Sequence, residues 1–142
     1  MNAQPLVLSI LGFSGTPGAG RIVLLNRGDK SIRVWRTGNL WGDTALWFEI
    51  SRPPIVARVV RKPQRYTRNV PSSVPVTAGG SHIWQFDLGD GSWESDVPFG
   101  QMVGAGAELI AVYEASESPE ALANGVWIGS LRSEPVKLGY QQ

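Results

Sequence analysis

The segment Glu108-Leu-Ile-Ala-Val-Tyr-Glu114 decides the fold of this chain, because most of its residues favour β-strands and nothing in it breaks one. A polar stretch, residues 115–125, follows it. Strand-forming residues then resume at Val126-Trp-Ile-Gly-Ser-Leu131 and at Pro135-Val-Lys-Leu138. Two such runs separated by a loop predict an antiparallel pair of strands at the centre of a β-sandwich.

The rest of the chain also alternates short apolar runs with turns. Its 17 glycines and 10 prolines lie mostly between those runs, which is typical of short strands and not of a helical bundle. One short helical turn at most is expected, near 118–123, with Ser118 as its N-cap. Further strands are predicted at residues 6–11, 21–26, 31–36, 45–50, 55–62 and 81–88. We therefore predict an all-β fold, a two-sheet antiparallel sandwich of seven to nine strands, with a closed barrel as the structural alternative.

Length and composition limit the functions that are open to the chain. The 142 residues predict a single domain, 1–142, large enough to bury one core. The net charge of +1 indicates neither nucleic-acid nor membrane binding. The lack of cysteine excludes disulfides and thiolate chemistry and favours a reducing compartment. No apolar run approaches the ~18–20 residues that span a bilayer, and no basic residue precedes the run at 6–11, so we expect a cytoplasmic protein.

The usual catalytic sets are missing from the sequence. His82 is the one histidine, and Asp87, the next acid along its strand, projects to the opposite face, which argues against a Ser-His-Asp arrangement. A zinc site needs more histidine or cysteine ligands than the chain has. The segment Gly15-Thr-Pro-Gly-Ala-Gly20 has the glycine spacing of a phosphate loop, but Arg21 follows where lysine is required, and the next element is a strand. We predict a non-enzymatic protein without metal or cofactor.

Four acidic residues crowd one loop: Asp87, Asp90, Glu94 and Asp96. Carboxylates placed this closely can hold calcium or act as an acid/base pair. Their spacing does not match a calcium-binding loop, and Asp90-Gly91 is a turn signal in itself. We interpret them as turn residues, with a carboxylate-based hydrolase as the remaining enzyme hypothesis.

Two loops carry tryptophan beside acidic residues. Trp41 and Asp43 lie in the predicted loop 37–44, and Trp93 and Glu94 in the predicted loop 89–107. Tryptophans in loops at the end of a sandwich can anchor a protein partner or stack on sugars, and they can also cap the core. These four residues are the predicted binding site.

Charge is distributed unevenly along the chain. Residues 52–86 contain six basic side chains and no acid, whereas residues 87–120 contain eight acids and no base. An anionic partner would bind there if a set of residues shared one exposed surface: Arg61, Lys62, Arg65, Tyr66 and Arg68. The alternative is that the basic segment faces the acidic loops of its own domain. The near-zero net charge favours that alternative, so nucleic acid is not the expected partner.

Three segments carry a resemblance to a known class of domain: Leu25-Asn-Arg-Gly-Asp-Lys-Ser-Ile32, Val76-Thr-Ala-Gly-Gly80 before a tryptophan-containing strand, and the run from Val126-Trp-Ile-Gly129 to Glu134-Pro-Val136. The chain resembles immunoglobulin-like sandwich domains, including those of small bacterial proteins of unknown role. Bacterial protease inhibitors with immunoglobulin-like folds are similar in architecture and bind through loops at one end.

The resemblance implies that the loops 37–44, 89–107 and 115–125 are presented together at one end of the sandwich. We therefore predict a binding domain that engages a protein partner through these loops. A carbohydrate-binding module that uses the same tryptophans is the alternative, and nucleic-acid binding through residues 58–68 is the third hypothesis.

Overall fold

A computed structural model describes residues 5–14, 18–66, 68–98 and 106–137. These residues form an all-β antiparallel fold of eleven strands and two short helices, and no closed barrel forms among them. The elements in chain order are β1 (Leu6–Ser14), β2 (Ala19–Asn26), β3 (Ile32–Trp35), α1 (Leu40–Ala45), β4 (Leu46–Arg52), β5 (Ile55–Arg61), β6 (Ser73–Val76), β7 (Ser81–Asp87), β8 (Trp93–Ser95), β9 (Glu108–Ala115), α2 (Pro119–Ala123), β10 (Gly129–Arg132) and β11 (Val136–Lys137).

Two sheets and one small ladder make up the sandwich. The larger sheet has the order β10-β9-β4-β5-β8, with β11 also paired to β9. The second sheet has the order β1-β2-β7, and β3 pairs with β6. In the larger sheet Tyr113 of β9 lies opposite Leu131 of β10 on one side and Leu46 of β4 on the other. The antiparallel pair predicted from residues 108–131 is confirmed, and β9 is an interior strand.

The core forms where alternate residues of the two sheets meet. Trp84 of β7 stacks on Tyr113 with ring centroids 5.6 Å apart, and Phe86 lies 4.7 Å from Phe48 of β4. Phe48 is completely buried, and burying a side chain of this kind stabilises the fold by about 1.5–3 kcal/mol. These inter-sheet contacts fix the two sheets face to face, as the alternating pattern predicts.

The side chain of Asn26 has a structural role in the segment Leu25–Ile32, one of those that carry the resemblance. It is buried at the end of β2, and its Nδ2 donates to the carbonyl oxygens of Lys30 at 2.9 Å and Val76 at 3.0 Å. Its Oδ1 accepts from the Gly28 N–H at 2.9 Å. The amide thereby holds the turn between β2 and β3 against β6.

The number and kind of elements differ from the prediction at two places. The predicted loop 37–44 contains α1, whose N-cap Asn39 accepts from the Gly42 N–H at 2.9 Å. The predicted loop 89–107 contains β8, which pairs with β5, and residues 99–105 of that loop lie outside the described residues. Both elements are too short to show a periodic pattern. With β8 and the short strand β6, the described residues form eleven strands where seven to nine were predicted.

Two other local predictions agree with the structure. The helical turn near 118–123 is α2, and the Ser118 hydroxyl accepts from the Ala121 N–H at 3.0 Å. The glycine-rich loop before Arg21 leads into β2 at Ala19, although residues 15–17 lie outside the described part of the chain. A strand in this position lacks the helix N-terminus that holds phosphate in a phosphate loop.

Strand directions define two ends of the sandwich. Leu46 begins β4 beside Tyr113, near the end of β9, so α1 and residues 116–128 lie at one end, which we call the helical end. The β4–β5 turn and the start of β9 at Glu108 lie at the other, which we call the turn end.

The loop 89–107 crosses from one end to the other. Trp93 lies opposite Arg61 and Ser95 opposite Val59, so β8 runs from the helical end towards the turn end. The expectation that the whole of this loop joins 37–44 and 115–125 at one end is not met, because β8 runs away from the helical end and Ala107 precedes Glu108 at the turn end. The other two loops do share the helical end.

Candidate functional site

Asp43, predicted as a binding residue, is part of the scaffold. Its side chain is buried in α1, where Oδ1 accepts from the Gly38 N–H at 3.0 Å and Oδ2 accepts from the Tyr66 hydroxyl at 2.8 Å. Burial, followed by this hydrogen bond, raises the pKa of Tyr66 to about 12, so the phenol remains a donor at neutral pH. Asp43 thus fastens α1 to the chain after β5, and both its oxygens are occupied.

The helical end exposes apolar side chains around this helix. Leu40 is 48% exposed, and the Asn69 side chain accepts a hydrogen bond from the Leu40 backbone N–H at 2.8 Å. Val70, which follows Asn69 in the chain, is also exposed. Trp41 is half-buried with its ring 6.3 Å from that of Trp35. Leu122 of α2, at the same end, is 64% exposed.

A shallow depression connects the two helices. Trp41 and Thr44 of α1 line it on one side, and Ser116 and Ser118 before α2 line it on the other. The helical end therefore presents a surface to which both helical segments contribute. The sequence pattern placed Trp41 here but gave no indication of Leu40 or Leu122.

Trp93 lies in the core and not on a loop surface, which corrects its prediction as a contact residue. It is 4% exposed, and its ring packs edge-on against Phe48 with centroids 5.1 Å apart. The Arg61 guanidinium carbon lies 4.5 Å from the centre of the ring. No exposed face is left for a sugar or a partner. Glu94 points outward and, with Arg58, lines a separate small depression.

The predicted anionic-partner surface is divided in the structure. Arg61 is half-buried beside Trp93, and Tyr66 is engaged with Asp43, whereas Lys62, Arg65 and Arg68 are exposed. The Lys62 N–H donates to the Ser92 carbonyl oxygen at 2.8 Å. The five side chains do not present one common surface, because β5 turns Arg61 inward.

Two of the four crowded carboxylates make local hydrogen bonds typical of turns. Asp87 Oδ1 accepts from the Gly89 N–H and Asp90 Oδ1 from the Ser92 N–H, each at 2.9 Å. Asp96 Oδ1 accepts from the Arg58 N–H, also at 2.9 Å. The interpretation as turn residues agrees with these contacts for Asp87 and Asp90, whereas Glu94 lies in β8 and the contact of Asp96 is with the distant strand β5. Asp96 also brings the acidic loop against the basic strand, as the intramolecular alternative predicts.

A cleft that the sequence did not indicate lies between the sheets, beside β7. Its volume is about 260 Å³. Its polar lining comes from Arg36 and Thr37 after β3, Arg61 of β5, and His82 and Gln85 of β7. Its apolar lining includes Leu46, Trp84, Phe86 and Trp93. The contributing segments lie far apart in the sequence and meet only when the sheets pack.

His82 lies half-buried at this cleft. Burial, followed by the charge of Arg36, lowers the pKa of His82 below its usual value, so the imidazole is neutral at pH 7. Its ring packs edge-on against Trp84 with centroids 4.7 Å apart. Within the described ranges, no group of three or more His, Cys, Asp or Glu side chains is placed to hold a metal ion.

Comparison of the chain with protein-family models, with curated proteins and with solved structures gives no match. In the part of the chain that the structure describes, no helix has the length and apolar character needed to cross a membrane.

Proposed function

We propose that this domain is a non-enzymatic binding module that engages a protein partner through the helical end. The observation that carries the proposal is the exposure of Leu40 and Leu122 on the two helices of the same end. Large apolar side chains exposed beside polar ones are typical of protein-interaction surfaces. The half-buried Trp41 adds an aromatic side chain of the kind that dominates binding energy at interfaces.

The local structure of this end also supports the proposal. Asn39 caps α1 and Ser118 caps α2, and Asp43 holds α1 to Tyr66. A surface fixed in advance loses less conformational entropy when it binds, so more of the contact energy becomes affinity.

The proposal includes an immunoglobulin-like type for the sandwich and a cytoplasmic location. The two-sheet antiparallel arrangement, with connecting segments gathered at its ends, supports the first. The lack of cysteine in the chain supports the second.

Affinity capture from extracts of the source organism tests the proposal. The bait variant Leu40→Asp/Leu122→Asp places two charges on the helical end, and Val56→Asp is the matched control because Val56 is 60% exposed at the turn end. We expect a specific protein to be retained by the wild type and by Val56→Asp, and its retention by the double variant to fall at least about tenfold, since each buried apolar contact is worth about 1.5–3 kcal/mol.

The double variant and Val56→Asp must have equal melting temperatures, so that a difference in retention reports on binding and not on unfolding. Equal retention of every captured protein by the double variant and the control would contradict the proposed surface.

A further inference from the structure

We propose that the cleft beside β7 is a binding site for one oxyanion group, a carboxylate or a phosphate, held by Arg61 and Arg36. This site lies between the sheets and is separate from the exposed apolar surface of the helical end. It adds a second binding activity to the proposed function and does not depend on it.

The first support is the position of Arg61. Along β5 the side chains of Ala57 and Val59 are buried, and Arg61, two residues further, points to the same inner face. Its guanidinium lies over the Trp93 ring. Its Nε is buried and makes no hydrogen bond to any described residue. Buried donors are almost always paired in folded proteins, so this one indicates a missing acceptor.

The second support is the charge of the cleft. Arg36 contributes another guanidinium, and Thr37, His82 and Gln85 contribute further polar groups. No Asp or Glu is among the described residues that line it, and neither arginine forms an ion pair with a described residue. An oxyanion would balance this charge and accept hydrogen bonds from both guanidinium groups.

Asp90 is an acidic residue close enough to Arg61 to be weighed against an external ligand. It lies close enough for Arg61 to contribute to its lowered pKa, although hydrogen bonds from Ser92 are the larger cause. Its Oδ1 accepts from both the backbone N–H and the hydroxyl of Ser92. The Asp90 carboxylate is therefore used within its own turn and does not supply the acceptor for Arg61 Nε.

The third support is the size and the lining of the cleft. A volume of about 260 Å³ accommodates one carboxylate or phosphate group with a few water molecules. Trp84, Phe86 and Trp93 form apolar walls, which reduce screening by solvent and strengthen the attraction between opposite charges. Stacking on Trp93 also fixes the guanidinium of Arg61 in advance, so less entropy is lost when a ligand binds.

Nuclear magnetic resonance of the arginine Nε–H groups tests the site directly. Phosphate and acetate would be titrated separately into the ¹⁵N-labelled protein at constant ionic strength, with chloride as the balancing anion. The Arg61 Nε–H signal is assigned by its loss from the spectrum of Arg61→Leu. We expect this signal to shift saturably with phosphate, with acetate or with both, and the responding anion identifies the preferred group.

Arg58→Leu is the matched control variant. Arg58 lies on the same strand, stacks on Trp47 at 4.0 Å and carries the same charge, but it points outward. We expect Arg61→Leu to weaken binding by about tenfold or more, measured from the shift of the Trp93 indole N–H, and Arg58→Leu to leave it nearly unchanged. Arg36→Leu should also weaken binding. Because Arg36 is exposed, this variant replaces Arg61→Leu in the comparison if Arg61→Leu does not fold.

Two results would overturn the site. One is the absence of a saturable shift with both anions. The other is an equal loss of affinity in Arg61→Leu and Arg58→Leu, or in Arg36→Leu and Arg58→Leu, because that outcome indicates a general charge effect.

Discussion

Among single residues, Tyr113 connects the two halves of the core most directly. Its side chain is almost fully buried, and its ring stacks on Trp84 of the opposite sheet. Its hydroxyl oxygen accepts a hydrogen bond from the buried backbone N–H of Trp35 at 3.0 Å. This hydroxyl thus holds the end of β3 against β9, just before the chain turns into α1.

The variant Tyr113→Phe should lower the free energy of unfolding by about 1–3 kcal/mol, because it leaves the Trp35 N–H buried without an acceptor. Urea denaturation at pH 7 measures the change. An unchanged midpoint and slope would show that the hydrogen bond contributes nothing to stability.

The same hydroxyl makes the stability of the fold depend on pH in the alkaline range. Burial raises the pKa of Tyr113 from 10.0 to about 12 in the folded state. The unfolded state therefore loses this proton first, and the stabilisation present below pH 10 decreases as the pH rises through 12. The free energy of unfolding, measured by urea denaturation, should therefore decrease less between pH 10 and pH 12 in Tyr113→Phe than in the wild type.

The roles of individual residues were predictable from the sequence only in part. Alternation along β7 correctly placed His82 and Asp87 on opposite faces, since His82 is half-buried and Asp87 is exposed. Trp93 was assigned to a loop surface, since the three-residue strand that buries it is too short to show alternation. The inward direction of Arg61 follows from the alternation of β5, which puts it on the face of Ala57 and Val59, but the sequence does not show which of the two faces of β5 is buried.

At the scale of elements, α1 is set by tertiary contacts more than by its own sequence. It has six residues, and Gly42 within it favours other conformations. Gly42 is nonetheless required by packing, because a Cβ at this position would lie 1.9 Å from the carbonyl oxygen of Arg36. The sequence pattern therefore predicts a loop where the folded chain has a helix.

The variant Gly42→Ala tests this interpretation of α1. In an ordinary helix the change stabilises by roughly 0.5–1 kcal/mol, but here we expect a lower melting temperature because the backbone of Arg36 must move. Thermal unfolding followed by circular dichroism measures the direction of the change. Thr44→Ala, at an exposed position of the same helix, should have a small effect, and an increase in stability with Gly42→Ala would contradict the close packing of Gly42 against Arg36.

Other elements were predictable because their patterns are local. β9 and β10 follow from runs of β-forming residues, and α2 follows from Ser118 and Pro119 at its start. The strand with which β8 pairs could not be predicted, because its partner β5 lies more than thirty residues earlier in the chain.

At the scale of the whole molecule, the separation of charge along the chain has a structural explanation. The basic strand β5 pairs with β8 of the acidic segment, and Asp96 accepts from the Arg58 N–H. Part of the opposite charge is thereby brought together within the domain. Arg36 and Arg61 line a cleft to which no described acidic residue contributes.

The two ends of the sandwich differ in what they offer a partner. The helical end combines two helices with exposed Leu40 and Leu122, whereas the turn end exposes Ile55 and Val56 on strand β5 and carries no helix among the described residues. The proposed binding function assigns the contact to the helical end. Only the packed chain distinguishes the ends, because the segments that form them are separated in sequence.

Hydrogen exchange measured by mass spectrometry on the complex with the captured protein tests this central claim most directly. Binding at the helical end predicts slower exchange in peptides that cover residues 38–46 and 116–128, and unchanged exchange in peptides that cover the β4–β5 turn. Protection confined to the β4–β5 turn, or an unchanged exchange rate at both helices in a stable complex, would contradict it.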